Sequence, residues 1–470
     1  MKNGFLFITA FAVIVFSPAL QAAADVAGIW QGTLKAGAAE LRVVFKVSRD
    51  AEGKLSAKMD SPDQGARDIP TDSVDFSDGA LKIGIKAVRG GFSGALQPDG
   101  QEIRGEWQQA GMTFPLTLKR VQEVQEARRP QNPQKPYPYE EEQVTFENRE
   151  AGITLAGTWT MPRGEGPFPA VILVSGSGPQ DRDETIFQHK PFWVLADRLT
   201  REGFAVLRYD DRGIGQSKGN FAASTTQDFA EDTLAAYRYV QSRREADKKR
   251  IGILGHSEGG LIAPMVAARE KEVAFLILLA GPATTGEVVV LGQIAALGKA
   301  QGLSDAALQE KVALQKRLFD IVKQEKDNPA ALARLKETLA QAKENLSAEE
   351  RKALEGPAID AQLQHILSPW YRYFLAADPR LFLQKVTCPV LALYGEKDLQ
   401  VVPAENRQEM EAALKAGGNG KSRTILLPGL NHLFQTGQTG GPEEYGKIEE
   451  TFSPTALQAI ADWLQATMKK

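Results

Sequence analysis

The chain is poor in cysteine and in histidine. One cysteine in 470 residues, Cys388, excludes an internal disulfide, and its place at the head of an apolar strand marks it as a small core residue. Charge of one sign is not in excess either: 56 Lys and Arg stand against 59 Asp and Glu, a net charge of −3. That balance gives no electrostatic argument for nucleic acid or an anionic membrane as a partner. The apolar run from Gly4 to Phe16 is too short for stable membrane insertion with stop-transfer flanks. It follows Lys2, is broken by Ser17-Pro18 and leads to Ala22-Ala23-Ala24, the pattern of a secretory signal peptide. Residues 1–24 are therefore expected to be removed before Asp25, giving a mature protein exported to the periplasm or beyond. No cysteine stands at the cleavage site, so lipidation is not expected.

At 470 residues the chain exceeds one ordinary domain. From residue 25 to 120 the apolar period is two. Strand-length pieces such as Glu40 to Val47, Ala80 to Ile85 and Glu102 to Trp107 alternate with turn signals at Ser77-Asp78-Gly79, Arg89-Gly90-Gly91 and Pro98-Asp99-Gly100. About eight short strands at this spacing predict a small all-β barrel or sandwich. Gly28-Ile29-Trp30 resembles the G-x-W of a first lipocalin strand. The region has no histidine and no visible nucleophile–base arrangement, so packing or recognition is its expected role. In residues 121–140, Pro130, Pro133, Pro136 and Pro138 forbid a regular helix and predict an extended, semi-rigid linker.

Beyond the linker, residues 141–470 alternate strands and helices. Near-continuous apolar runs such as Ala170 to Val174 and Val390 to Tyr394 predict an α/β fold, a doubly wound and mostly parallel sheet with an opening hairpin. One stretch dominates: Arg250 to Leu254 runs apolar into Gly255-His256-Ser257-Glu258-Gly259 and then into small helical residues. This is G-x-S-x-G between a strand and a helix. Ser257 would sit on a strained turn that lifts its hydroxyl off the sheet, with Gly255 and Gly259 leaving room for the backbone. Helix amides from Glu258 onward would face developing negative charge.

Residues 141–470 resemble the α/β-hydrolases, and the β-rich segment resembles one found ahead of the catalytic domain in bacterial serine hydrolases. Tyr209 to Ser217 matches the D-x-R-G-x-G-x-S loop of the superfamily, with Asp211 and Arg212 expected to order the loop. The resemblance implies the triad order serine, acid, histidine. It puts the acid at Asp398, in Gly395-Glu396-Lys397-Asp398 after a strand, with Glu396 as competitor. It puts the base at His432, in the loop after the strand ending at Leu427. Of the other histidines, His256 is assigned to packing or a local hydrogen bond, His365 falls in a helical insertion, and His189 is a substrate-contact candidate. The second oxyanion amide is expected from Ser175-Gly176-Ser177-Gly178, Ser177 first and Gly178 second, beside that of Glu258. The superfamily often has His-Gly where this chain has Ser-Gly.

Residues 282–385 carry apolar residues at three- and four-residue spacing, with helices expected at 306–324, 330–345, 348–354 and 358–367; in the superfamily such an insertion caps the nucleophile. Trp370 to Leu375 clusters aromatics that either pack a core or line substrate, and Tyr371 is the substrate-contact candidate among them. The resulting expectation is a serine hydrolase acting on a small-molecule ester, a reaction that needs no metal or organic cofactor. A peptidase of the prolyl-oligopeptidase or aminopeptidase type, or a degenerate envelope-binding protein, are the alternatives.

Overall fold

The computed structural model describes residues 25–36, 39–64, 66–109, 112–124, 128–342 and 357–468. The expected signal peptide and the expected helix at 348–354 lie outside the described residues. The rest forms two sheets.

The first sheet has nine antiparallel strands: β1 (Gly28–Ala36), β2 (Ala39–Arg49), β3 (Leu55–Ser61), β4 (Ala66–Pro70), β5 (Ser73–Ser77), β6 (Ala80–Ile85), β7 (Gly90–Leu96), β8 (Glu102–Gln109) and β9 (Met112–Val121). Their order, β4-β3-β2-β1-β9-β8-β7-β6-β5, is an up-and-down meander in which β1 and β9 pair and the sheet curls. The alternation read in the sequence turns one side chain in two inward. Trp30, Phe45, Phe92, Trp107, Leu116 and Leu118 fill the inside. The Arg120 guanidinium lies 4.3 Å from the centroid of the Trp30 ring and donates to the Asp25 and Ala27 carbonyls, closing one end.

The Pro-rich segment is not an isolated spacer. Arg129 donates to the carbonyls of Phe187, Gly446 and Ile448. Gln131 accepts from the Thr451 and Phe452 amides and donates to the Phe452 carbonyl. Prolines supply no N–H, so the side chains that flank Pro130 make the attachment.

The second sheet has eight strands: β10 (Tyr139–Asn148), β11 (Ile153–Pro162), β12 (Phe168–Val174), β13 (Ala205–Tyr209), β14 (Ala246–His256), β15 (Leu276–Leu279), β16 (Val390–Gly395) and β17 (Ser422–Leu427). The order is β10-β11-β13-β12-β14-β15-β16-β17. β11 is antiparallel to both its neighbours and all later pairings are parallel. Ala170, Ile172 and Val174 of β12 enter one buried cluster and Val171 and Leu173 the opposite one, which is why the strand reads apolar throughout. Helices α1 (Pro191–Arg201), α2 (Thr226–Ser242) and α3 (Gly259–Arg269) join the central strands. A capping box at Thr225 and Asp228 starts α2.

Between β15 and β16 lies the helical insertion: Gly286–Ala300, Asp305–Gln324, Asn328–Ala342, Pro357–Ile366 and Pro369–Ala376, then a short turn at Arg380–Leu383. Leu318, Phe319, Val322, Leu335, Leu363 and Leu375 give it a core of its own. The helix at Gly286–Ala300 was not among those read from periodicity; its apolar residues run nearly all round, so no single face stands out. Among the described residues no helix is long and apolar enough to cross a membrane.

Candidate active site

The chain leaves β14 at His256 and enters α3 at Gly259, with Ser257 at φ +53° between them. A non-glycine residue in this region is uncommon and costs free energy. The turn is held by the Ser257 N–H donating to the Leu279 carbonyl at 2.8 Å. Sterics account for both glycines. A Cβ on Gly255 would stand 2.0 Å from the Gly259 carbonyl oxygen, and one on Gly259 would stand 2.2 Å from that of Val174.

Two loops from neighbouring strand ends approach this turn. Asp398, after β16, accepts from the amides of Gln400 and Val401 through Oδ1 at 2.8 and 2.9 Å. Its Oδ2 lies 2.8 Å from His432 Nδ1, and the carboxylate is fully buried. His432 sits in the loop after β17, which Asn431 organises by accepting from the Leu433 and Gln435 amides. Glu396 instead accepts from the Gly429 N–H. The Nδ1 contact leaves His432 Nε2 for proton transfer. The Ser257 hydroxyl has no hydrogen-bond partner among the described residues; nucleophile–base contacts commonly tighten only with substrate bound.

The loop after β12 covers the other side. A Cβ on Gly176 would stand 3.1 Å from that of Ser257, so this backbone runs alongside the elbow. The Gly176 N–H is already taken by Glu184 Oε1 at 2.7 Å. The amides of Ser177, Gly178 and Glu258 donate to no described residue. Asp211 pins the loop, accepting from the Ser175 hydroxyl at 2.9 Å and the Gln180 amide at 3.0 Å. Burial pushes the Asp211 carboxyl well above its ordinary pKa.

Against known proteins, a family model described as serine aminopeptidase, S33, matches residues 191–362, a stretch holding Ser257 and most of the insertion. Esterase EstD of Thermotoga maritima is 28% identical over 385 residues, which is 81% of this chain and 78% of that protein. The putative hydrolase YtaP of Bacillus subtilis is 30% identical over 125 residues, 23% of this chain and 42% of its own. An esterase of Pyrococcus furiosus aligns in structure over 74% of this chain and 99% of its own, at 14% identity and TM-score 0.43. The second sheet has the α/β-hydrolase fold, and these likenesses support a hydrolase.

Several side chains of this α/β-hydrolase fold sit elsewhere than their sequence neighbourhood suggested. His189 is a correction. It is 1% exposed, with Nδ1 2.9 Å from the Thr451 hydroxyl and Nε2 2.9 Å from both the Tyr445 carbonyl and Gln435 Nε2. Burial lowers its pKa to about 4. It is a neutral brace beneath the His432 loop and does not face substrate. Non-glycine turns at Phe187 and Gln188, φ +49° and +65°, swing it inward. Tyr371 is half-buried: its ring packs on Phe319, His365 and Trp370 against the core of the insertion.

Trp370, the residue before, does reach the elbow. Its Nε1 donates to Glu258 Oε1 at 2.8 Å, beside the Thr226 hydroxyl at 2.7 Å. Burial raises the Glu258 pKa, against the pull of these two donors. Arg182 is a bidentate partner of Asp210, and Arg212 of Asp232, so both order loops. The sequence reading missed Glu184 altogether. Its signal was a seventh residue closing the Gly178-Pro179-Gln180-Asp181-Arg182-Asp183 run, with a partner 72 positions away.

Proposed function

We propose that this hydrolase cleaves carboxylic esters through an acyl-enzyme. Ser257 Oγ attacks the ester carbonyl carbon while His432 Nε2 takes its proton. Asp398 holds His432 Nδ1–H and thereby fixes the tautomer. The amides of Glu258 and Ser177, with Gly178 next to them, bind the oxygen that becomes negative. Collapse expels the alkoxide oxygen, which takes the proton from His432 and leaves as the alcohol; His432 then deprotonates a water that attacks the acyl carbon, and returns that proton to Ser257 Oγ as the acid leaves. The observation that carries this reading is the buried 2.8 Å pair of His432 and Asp398 beside a strained serine elbow.

Ester rather than peptide substrate is supported by the likeness to Esterase EstD. The family description as serine aminopeptidase favours the alternative, an aminopeptidase. An aminopeptidase needs free acidic oxygens for an amino terminus. Near Ser257, Asp211, Glu258 and Glu184 already accept from Ser175 and Gln180, Thr226 and Trp370, and Gly176 and His256. The test is turnover of p-nitrophenyl acetate, butyrate and octanoate against amino-acid p-nitroanilides. Esters should dominate, and anilides outrunning them would move the assignment to peptidase. Export remains part of the proposal, supported by the pattern of residues 2–24. Amino-terminal sequencing of protein from the periplasm or medium should begin at Asp25, and a retained Met1 would refute it.

A further inference from the structure

Beside the proposed nucleophile lies a second histidine–carboxylate pair that the mechanism does not use. His256 is 6% exposed, and both its ring nitrogens are engaged. Nδ1 is 2.9 Å from Glu184 Oε1, and Nε2 is 3.0 Å from the main-chain oxygen of His432. A carbonyl oxygen and an ionised carboxylate only accept, so both contacts are satisfied together by a ring carrying both protons. Burial alone would lower the His256 pKa, but the Glu184 charge and these hydrogen bonds raise it above the ordinary value.

Glu184 Oε1 also takes the Gly176 N–H. One chain of contacts therefore runs from the loop after β12, through Glu184 and His256, to the His432 carbonyl. Those are the segments that supply the oxyanion amides, the nucleophile and the base. The His256 and His432 rings lie 4.9 Å apart, and Glu184 is held at φ +52°, a strained backbone that persists only where surroundings over-determine it. A buried ion pair adds little net stability over apolar packing. The clearest product of this arrangement is a fixed distance between two loops.

We propose that His256 and Glu184 are a positioning pair that locks the loop carrying Ser177 and the loop carrying His432 in register around Ser257. The proposal rests on the ester-hydrolase reading of that site. It predicts transition-state loss with ground-state binding intact, because a shift of about 1 Å in such groups costs on the order of a hundredfold in rate.

The experiment compares Glu184→Gln and His256→Gln with wild type and Ser257→Ala, using p-nitrophenyl butyrate and fluorophosphonate titration of active sites. Glu184→Gln keeps shape and an acceptor oxygen, so it informs even where His256→Gln folds poorly. Per titrated site, kcat should fall about a hundredfold with KM within a few-fold. Affinity for butylboronic acid, which forms a tetrahedral adduct on the serine oxygen, should fall in parallel with kcat/KM. Glu184→Asp, which restores the charge, should recover part of kcat. Fewer titratable sites with normal kcat per site would mean that the pair only supports folding, and would overturn the proposal. Wild-type constants in both variants would do the same. Turnover surviving in Ser257→Ala would overturn the ester-hydrolase reading and this proposal together, whereas loss there with unaffected pair variants would overturn the pair alone.

Discussion

In β8, Ile103 and Trp107 enter a core while Arg104 and Glu106 face water; in β12, Ala170, Ile172 and Val174 feed one core and Val171 and Leu173 another. The antiparallel sheet reverses through short turns such as Asp78-Gly79, where the chain has little room for anything but the reversal. The second sheet must cross over between its parallel strands, and the loops that leave those strands collect at their carboxyl ends. Ser257, Asp398 and His432 all follow the carboxyl ends of parallel strands, β14, β16 and β17. Both sheets are well packed, and it is the second that gathers a serine, a carboxylate and an imidazole at its strand ends.

That contrast can be tested, beginning with the largest effect. Ser257→Ala should lower ester kcat by about a millionfold, as for the serine nucleophile of the best-studied enzyme of this mechanism, while the melting temperature stays within a few degrees. Activity within tenfold of wild type would end the argument that the chemistry resides at the elbow. Trp107→Ala, in the first sheet, should do the reverse. Removing a fully buried tryptophan costs about 3–5 kcal/mol, read as an earlier urea midpoint, with kcat per titrated site unchanged. A loss of turnover per site would show that the first sheet takes part in the reaction.

The smallest effect concerns pH. Glu258 is raised above its ordinary pKa by burial, so the folded state holds that proton more tightly than the unfolded chain. The stability tied to the neutral carboxyl is present below the ordinary carboxylate range and is lost as pH rises through the raised value. Trp370→Phe removes a donor that favours the ionised form. It should therefore cost more stability at high pH than at low pH, by about 1 kcal/mol, the excess of a hydrogen bond to a charged group over one to a neutral group. Equal losses at both pH values would show that only ring packing had changed.

Residue type and local spacing made the frame of this site legible. Gly255 and Gly259 announce the turn because no other residue fits there, and Asp398 and His432 follow strands whose apolar runs are unambiguous. The first sheet was legible in kind, with nine strands where about eight were expected, because β4 is short and mostly exposed. Direction was not legible. Trp370 and Tyr371 are adjacent, yet neighbours on a helix point about 100° apart, and one reaches Glu258 while the other packs against the core of the insertion. His189 follows the Ser177 loop in sequence but turns under the His432 loop. Glu184 has no local pattern, since what defines it is an imidazole from β14.

The attachment of the Pro-rich segment also decides where the molecule can be cut. A catalytic fragment beginning at Tyr139 would keep every strand of the second sheet and lose Arg129 and Gln131. The carbonyls of Phe187, Gly446, Ile448 and Phe452 would then lose those donors, and they lie on the segments that enclose His189 beneath the His432 loop. A fragment beginning ahead of Arg129 keeps those ties and sheds the nine-stranded sheet. The modular seam of this protein therefore lies before its prolines, and ten residues that belong to neither sheet travel with the enzyme half.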